Sequence, residues 1–388
     1  MASGSQVPNL TDLLEGPALA PPDGVFPDFA HPGGSHALGY GAIIAGAVIS
    51  TLAVLSRFLS RFAMKKIHYE ELYLLFALGF FAGYVQTIYV TAIFPGVHVH
   101  QWNLQLKNLE PWLYRTHLAS IFYGLCLLFL KLAILVDWLH IFVPTKERNF
   151  VFWSIHVLIW SNVIYYVSGT FLEIFRCWPR QKIWDPLFEG GVCPINIDAN
   201  NFASTIINLV SDLAILAVPQ FVIWKLNMSR AKKAGVSLLF VIGIFAIGSN
   251  IARLLYLLEV LHSADALYYV TEVGLWGIGE MAAGFLIIGI PSAPRAAQSL
   301  PFSDSVASLL RSLSSTNAPS HERSFIASWR RRPLTRKRRG LWEISELDTF
   351  NLVTEAGTQK DSRPPTVIIE EPRESQNTPG LAEQTRRT

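Results

Sequence analysis

The chain has 388 residues, of which 51% are hydrophobic and only 16% charged, and its mean hydropathy is +0.32. This balance argues against soluble domains, and the formal net charge of +3, carried by loops and tail, gives no reason to expect a nucleic-acid partner. Three cysteines, Cys126, Cys177 and Cys193, allow at most one bridge and exclude a disulfide-rich module or a cysteine-based zinc site.

Residues 1–37 contain no Lys or Arg and lack the basic and apolar regions of a cleavable signal, so a later apolar segment is expected to direct insertion. Seven apolar runs follow, each long enough to cross about 30 Å of hydrocarbon at about 1.5 Å per residue. They lie near Leu38 to Phe62, Leu72 to Phe94, Leu113 to Leu139, Phe150 to Leu172, Phe202 to Leu226, Ala234 to Leu258 and Leu267 to Ile290. Their continuity predicts helices, because barrel strands would alternate in segments of about ten residues. The expected fold is therefore an all-α, seven-transmembrane helix bundle over 38–295, between an extracellular tail (1–37) and a disordered basic cytosolic tail (296–388).

Lys and Arg set the expected orientation. Arg61, Lys65 and Lys66, then Lys146 and Arg148, then Lys225, Arg230, Lys232 and Lys233 fall on one side, together with the basic tail block "WRRRPLTRKRRG". That side is expected to be cytosolic, with the N-terminus outside and the plasma membrane as the location. Asn9-Leu10-Thr11 is a glycosylation sequon on the outer side, whereas Asn227-Met228-Ser229 falls inside. Cys177 and Cys193 flank an outer loop where an oxidising environment permits a disulfide, two free thiols being the plainer alternative. The tail block suits anionic headgroups or simply a solvated tail.

Charges inside the spans carry the functional question, since each costs about 2.5–3.5 kcal/mol at the bilayer centre and so turns toward the protein interior. On span five, Asn201, Thr205, Asn208 and Asp212 recur at helical spacing and continue to Pro219, a stripe expected to face the bundle. Taking span midpoints as the bilayer centre, Asp212 lies ~3 Å outward, Arg253 and Glu272 both ~10 Å outward, Glu280 ~2 Å inward and Lys131 ~7 Å inward. Arg253 is thus expected to pair with Glu272 or reach toward Asp212, and Lys131 to pair with Glu280 or snorkel to the cytosolic headgroups. Glu272, Trp276 and Glu280 follow at i, i+4 and i+8 and give span seven a polar-aromatic face. These groups either line a ligand pocket or ion path, form a switch whose ion pairs rearrange, or serve as a static clamp between helices. The sequence leaves these readings open.

Other chemistry lacks its signature. Leu267 to Ile290 contain no lysine, so a retinal Schiff base in span seven is not expected. His98-Val99-His100 is two ligands short of a complete metal site, and the surface-pair reading is the commoner one. HExxH, GxSxG and Walker patterns are absent, so no catalytic residue, metal or cofactor is assigned and an enzyme is not expected.

Two stretches carry a resemblance. The loop "FRCWPRQKIWDPLFEGGVCPI" and the span "NLVSDLAILAVPQFVIWKL" contain F-x-C-x-P, a Trp, a Cys and then N-x-x-x-D-x-x-I-x-x-x-P, matched by Phe175, Cys177, Pro179, Trp184, Cys193, Asn208, Asp212, Ile215 and Pro219. "LKLAIL" from Leu130 to Leu135, Arg253 in span six and "LWGIGEMAAGFLIIGIP" in span seven add to it. Over roughly Gly39 to Arg295 the chain resembles the fungal seven-span integral membrane proteins called rhodopsin-domain proteins. Departures are Glu70-Glu71 where that family has two aspartates, Ala133 for a serine, a turn only approximated by Gly96, His98 and His100, and no Cys-rich extracellular module. The resemblance implies seven spans and, for some members, a receptor role without retinal. The expected function is a receptor-like sensor of a small extracellular ligand that signals to a cytosolic partner through the inner loops and tail. The rival is a carrier or proton-coupled transporter using the intramembrane carboxylates.

Overall fold

A computed structural model describes residues 10–64, 69–143, 149–224 and 230–293. These form a short α1 (Leu10–Glu15) and seven long helices: α2 (His36–Met64), α3 (Glu70–Ile93), α4 (Leu109–Phe142), α5 (Phe150–Ile174), α6 (Ile197–Trp224), α7 (Arg230–His262) and α8 (Ala266–Gly289). All seven are long and apolar enough to cross a membrane, and the chain is a multi-pass membrane protein. The Asn9 sequon, Lys65, Lys66, Lys146, Arg148, Lys225 and the tail lie outside the described residues.

Several helices begin before the apolar runs that announced them, because polar residues open their first turns. Helix α5 starts where its run does, at Phe150, with Asn149 Oδ1 accepting the Phe152 amide at 3.2 Å. Asn196 Oδ1 accepts the amides of Asp198 and Ala199 at 3.0 and 3.2 Å, so α6 starts five residues ahead of the expected Phe202. The helix then runs through Pro219 without ending. The polar stripe of α6 turns inward, with Thr205 and Asn208 buried, while Ile206, Ile207, Val210 and Leu213 stay exposed toward the hydrocarbon.

Successive helices pack side by side from α2 to α8, and α8 closes the ring on α2. Helix α4 crosses the middle and also touches α8, and these two have 61% of their apolar windows buried, against 17–33% for the other spans. They are the core on which the rest is laid. Leu130, Leu135, Met281 and Phe285 fill the space around them. With lipid as apolar as leucine, close packing must replace the hydrophobic drive between helices. Gly289 illustrates this: a Cβ there would stand 2.7 Å from the Ala53 carbonyl oxygen of α2. The outer face of α5 presents Trp153, Val157, Trp160, Ile164 and Phe171, an apolar belt that water would penalise and lipid accepts.

The two ends of the bundle differ. At one, here the disulfide end, Cys177 and Cys193 are bridged and Trp178 and Val192 exchange two backbone hydrogen bonds of 2.8 Å. There the segment before α2 lies across the α3–α4 connection: the Ala18 amide donates to Leu104 O, the Leu106 amide to Gly16 O and the Ser35 amide to Val97 O. Burial lowers the pKa of Arg176 at this end, and the opposing pull of Glu173 does not offset it. Cys126, the remaining cysteine, is buried in α4.

Candidate functional site

The charge on Asp212 meets Lys131. Their ion pair is 2.6 Å long and joins α6 to α4 through the bundle interior. Lys131 Nζ also donates to Asn208 Oδ1 at 2.7 Å and Ser211 Oγ at 3.3 Å, and Asn250 Nδ2 of α7 donates to Asp212 Oδ2 at 3.0 Å. Asn208 is the hub: its Oδ1 accepts the Tyr166 hydroxyl at 2.6 Å, and its Nδ2 donates to Glu280 Oε1 of α8 at 2.6 Å. Glu280 Oε2 accepts from Tyr123 at 2.7 Å and from Arg253 Nη1 at 3.0 Å, and Arg253 also bonds the Tyr123 hydroxyl and lies over its ring. Five helices, α4 to α8, thus meet in one network of two cations and two carboxylates. Charges buried this way survive only with close partners and hydrogen bonds; the close partners are present here, although Arg253 Nε and Asn250 Oδ1 are buried without a hydrogen bond.

Three expected pairings are corrected. Arg253 pairs with Glu280, not with Glu272 or Asp212. Lys131 pairs with Asp212, neither snorkelling nor reaching Glu280. Glu272 instead stands 2.7 Å from His98 Nε2. The reason is common to all three: midpoints of apolar runs are poor depth markers, since α4 extends from Leu109 to Phe142 and long Lys and Arg side chains travel several ångströms along the bundle. Trp276 is half-buried between these levels, one turn from each glutamate.

The disulfide end holds an open groove of ≈ 600 Å³ lined by residues 31–35, His98, His100, Asn103 and Tyr268. Its floor is pinned from α8. Asp265 sits at the N-cap position of α8 yet caps nothing there; its carboxylate accepts the Gln101 amide at 2.8 Å and faces His100 Nδ1 at 2.6 Å. His100 stacks between Trp102 and Tyr268, with ring centroids 4.2 and 4.8 Å away. His98 has a positive φ of 57°, a conformation rare outside glycine, and follows Gly96 at φ 120°. Backbone strain of this kind is kept where surroundings hold it, often at functional sites. Asp28, behind the groove, accepts the His31 and Ala30 amides, and these hydrogen bonds, His31's the largest, lower its pKa despite some desolvation.

A second charge cluster lies at the opposite end and was not anticipated as a site. Arg57 of α2 spans Glu71 of α3 at 3.1 Å and Asp137 of α4 at 2.5 Å; Arg61, one turn on, reaches Glu70 and Glu71 at 3.0 Å and Asp137 at 3.2 Å. His140 Nδ1 meets the other Glu70 oxygen at 2.7 Å. The signal was present: Arg57 precedes Arg61 by one turn, and Asp137 is the sole acidic residue in the latter half of span three. Arg61 was read for orientation and the Glu pair for resemblance, and neither as a buried partner.

Comparison with known proteins places this architecture. The family model for the Fungal rhodopsin domain matches residues 56–298. The chain is 34% identical over 288 residues to Fugralins biosynthesis cluster protein 2 of Gibberella zeae, covering 73% of this chain and 71% of that protein. It is 32% identical over 200 residues to a SAT4 family membrane protein of Emericella nidulans, covering 51% of this chain and 50% of that one. No solved structure matches. On the extent of the domain match and the length of the first alignment, the chain belongs to the fungal rhodopsin domain family.

Proposed function

We propose that this protein is a receptor-like membrane sensor, with the disulfide end outside the plasma membrane and the tail in the cytosol. The observation that carries this reading is the span of α8. Its Glu272 contacts His98 of the groove, and two turns along the same face its Glu280 holds Arg253 and Asn208 in the buried network. A small ligand in the groove that shifts α8 would disturb the ion pairs joining α4, α6 and α7, and the cytosolic loops and tail would report the change to a partner. The bridged loop and the Lys and Arg bias support this orientation. One relative is named for fugralins biosynthesis, and a small biosynthetic product is the ligand class that its name brings forward. Retinal is not, since α8 has no lysine.

The rival reading, a proton-coupled carrier, has one observation in its favour. Titratable groups occur at three levels, Glu272 with His98, then Glu280 and Asp212, then Asp137 with the Glu pair, spaced ~12 Å along α8 and ~9 Å along α4. A vesicle experiment separates the two. The full-length protein is reconstituted around a trapped pH dye and a proton gradient is imposed. The sensor reading expects no proton flux above protein-free vesicles, together with altered hydrogen exchange in α6–α8 when Tyr268→Ala disrupts the groove. Flux that Glu280→Gln abolishes would hand the function to the carrier.

A further inference from the structure

The disulfide loop between α5 and α6 has two sides, and the protein uses only one of them. On the inner side Cys177 and Ile183 are buried, the Trp184 ring meets Tyr114 edge-on at 5.2 Å, and Arg176 joins Glu173 of α5 to the Ile183 carbonyl at 3.3 and 3.4 Å. On the outer side Trp178 and Val192 stand 76% and 68% exposed. They are the two residues that exchange backbone hydrogen bonds, and directly opposed residues of an antiparallel pair put their side chains on the same face. Cys177, one residue earlier, points the other way, into the protein. A tryptophan and a valine thus lie side by side on a surface that no described residue covers.

The place of this surface decides what covers it. Helix α5 has 25 residues, roughly 37 Å at about 1.5 Å each, so it outruns a hydrocarbon core of about 30 Å and its end reaches the headgroup layer. The exposed stripe of Trp160, Ile164, Val167 and Phe171 on this helix continues to Phe175, whose ring stacks on Phe171 at 6.3 Å. Exposed Arg180 then holds its guanidinium 5.9 Å from the centre of the Phe175 ring. Apolar side chains, then exposed aromatics, then a cation follow the order in which a bilayer offers acyl chains, the interface where tryptophan is enriched, and phosphate.

We propose that the outer face of the disulfide loop docks into the headgroup layer of the bilayer, with Trp178 and Val192 at the acyl boundary and Arg180 on a lipid phosphate. The occupant is phospholipid, because the ribbon prolongs a helix face that already looks into the hydrocarbon. Between the two cysteines Arg180 and Lys182 are matched by Asp185 and Glu189, so no net charge calls for an anionic lipid and a zwitterionic one suffices. Lys182 Nζ is turned back onto the carbonyls of Gly190 and Gly191 at 2.5 and 3.1 Å, which leaves the phosphate to Arg180. Docked this way, the loop is held by lipid on one side and by α4 and α5 on the other. The inference is independent of which way the protein faces the membrane and of whether it senses or carries.

The test uses the full-length protein labelled with fluorotryptophan, one copy per nanodisc of phosphatidylcholine. The chain has eleven tryptophans, and the Trp178 fluorine resonance is the one lost in Trp178→Phe and again in Trp178→Tyr, both changes at an exposed position. Three relaxation agents are then compared: phosphatidylcholine with a nitroxide near the headgroup, the same lipid with its nitroxide at the chain end, and a water-soluble gadolinium chelate. Trp178 should be broadened most by the headgroup nitroxide, less by the chain-end nitroxide and least by the chelate. Val192→Glu, which puts a charge on the same face, should cut the headgroup broadening by at least half and open Trp178 to the chelate. Broadening by the chelate alone would overturn the proposal and leave the face free for a protein partner or a second copy. Broadening by none of the three would overturn it as well, by showing protein over the face, and so would a Val192→Glu protein that keeps the wild-type pattern. The ranking is read on the wild-type protein, so a Val192→Glu variant that fails to fold does not shield it.

Discussion

The two buried charge clusters of this bundle are built on opposite plans. At the centre, Lys131 and Arg253 face Asp212 and Glu280, so cations and carboxylates balance, and the side chains of Asp212 and Arg253 remain 14% and 12% exposed. At the opposite end, Arg57 and Arg61 face three carboxylates, Glu70, Glu71 and Asp137; both clusters leave buried polar atoms without a hydrogen bond, Glu71 Oε2 here and Arg253 Nε and Asn250 Oδ1 at the centre. The central charges are spread over four helices and linked through neutral groups, Asn208, Tyr123 and Tyr166. The end cluster depends on two guanidiniums from one helix, each shared among several acids. A balanced, relayed network spreads the central charges over several helices and shared neutral partners. An acid-rich cluster gripped by two arginines ties α2, α3 and α4 together as an anchor.

That contrast can be broken by measurement. The largest effect is expected from Arg57→Met, which strands Glu71 and Asp137 and should cost about 3–5 kcal/mol of stability in thermal unfolding of the full-length protein in detergent. If Lys131→Met costs more, the anchor lies at the centre and the comparison is reversed. Lys131→Met itself should cost about 3 kcal/mol, and adding Asp212→Asn should restore most of it, because removing both charges leaves neither stranded. Strict additivity of the two single losses would mean that the pair is not coupled. Tyr166→Phe removes one of several bonds to Asn208 and should cost about 1 kcal/mol, a modest loss that sharpens the picture of a tolerant centre. On the lipid face, Ile164→Leu should stay within about 0.5 kcal/mol; a larger shift would place α5 against protein instead of lipid.

The fold was legible because hydrocarbon imposes so few solutions: seven apolar runs had to be helices, and they are. The stripe on α6 was legible for the same reason, since Asn208 and Asp212 had to turn inward, and they do. Pairing was not. Which carboxylate Arg253 meets depends on helix tilt, on where polar first turns extend a helix, and on side-chain reach, none of which apolar periodicity records. The end cluster escaped because a charge near the rim of a span is ordinarily taken as an orientation signal, and only the packing of α2 against α3 and α4 buries Arg57 and Arg61. The groove was the least visible feature, because it joins His31 to His98 and His100 across two helices that separate them in the chain.

The N-terminal segment carries a practical corollary. Residues ahead of the first apolar run look dispensable, and expression work commonly trims such stretches or replaces them with a fusion partner. Here Gly16, Ala18 and Ser35 are stitched by backbone hydrogen bonds to Leu106, Leu104 and Val97, so cutting at His36 would unlace one wall of the groove and bare the loop beneath it. A shortened protein that inserts and folds normally would still lack that wall, and a measurement made on it would not describe the groove of the intact molecule.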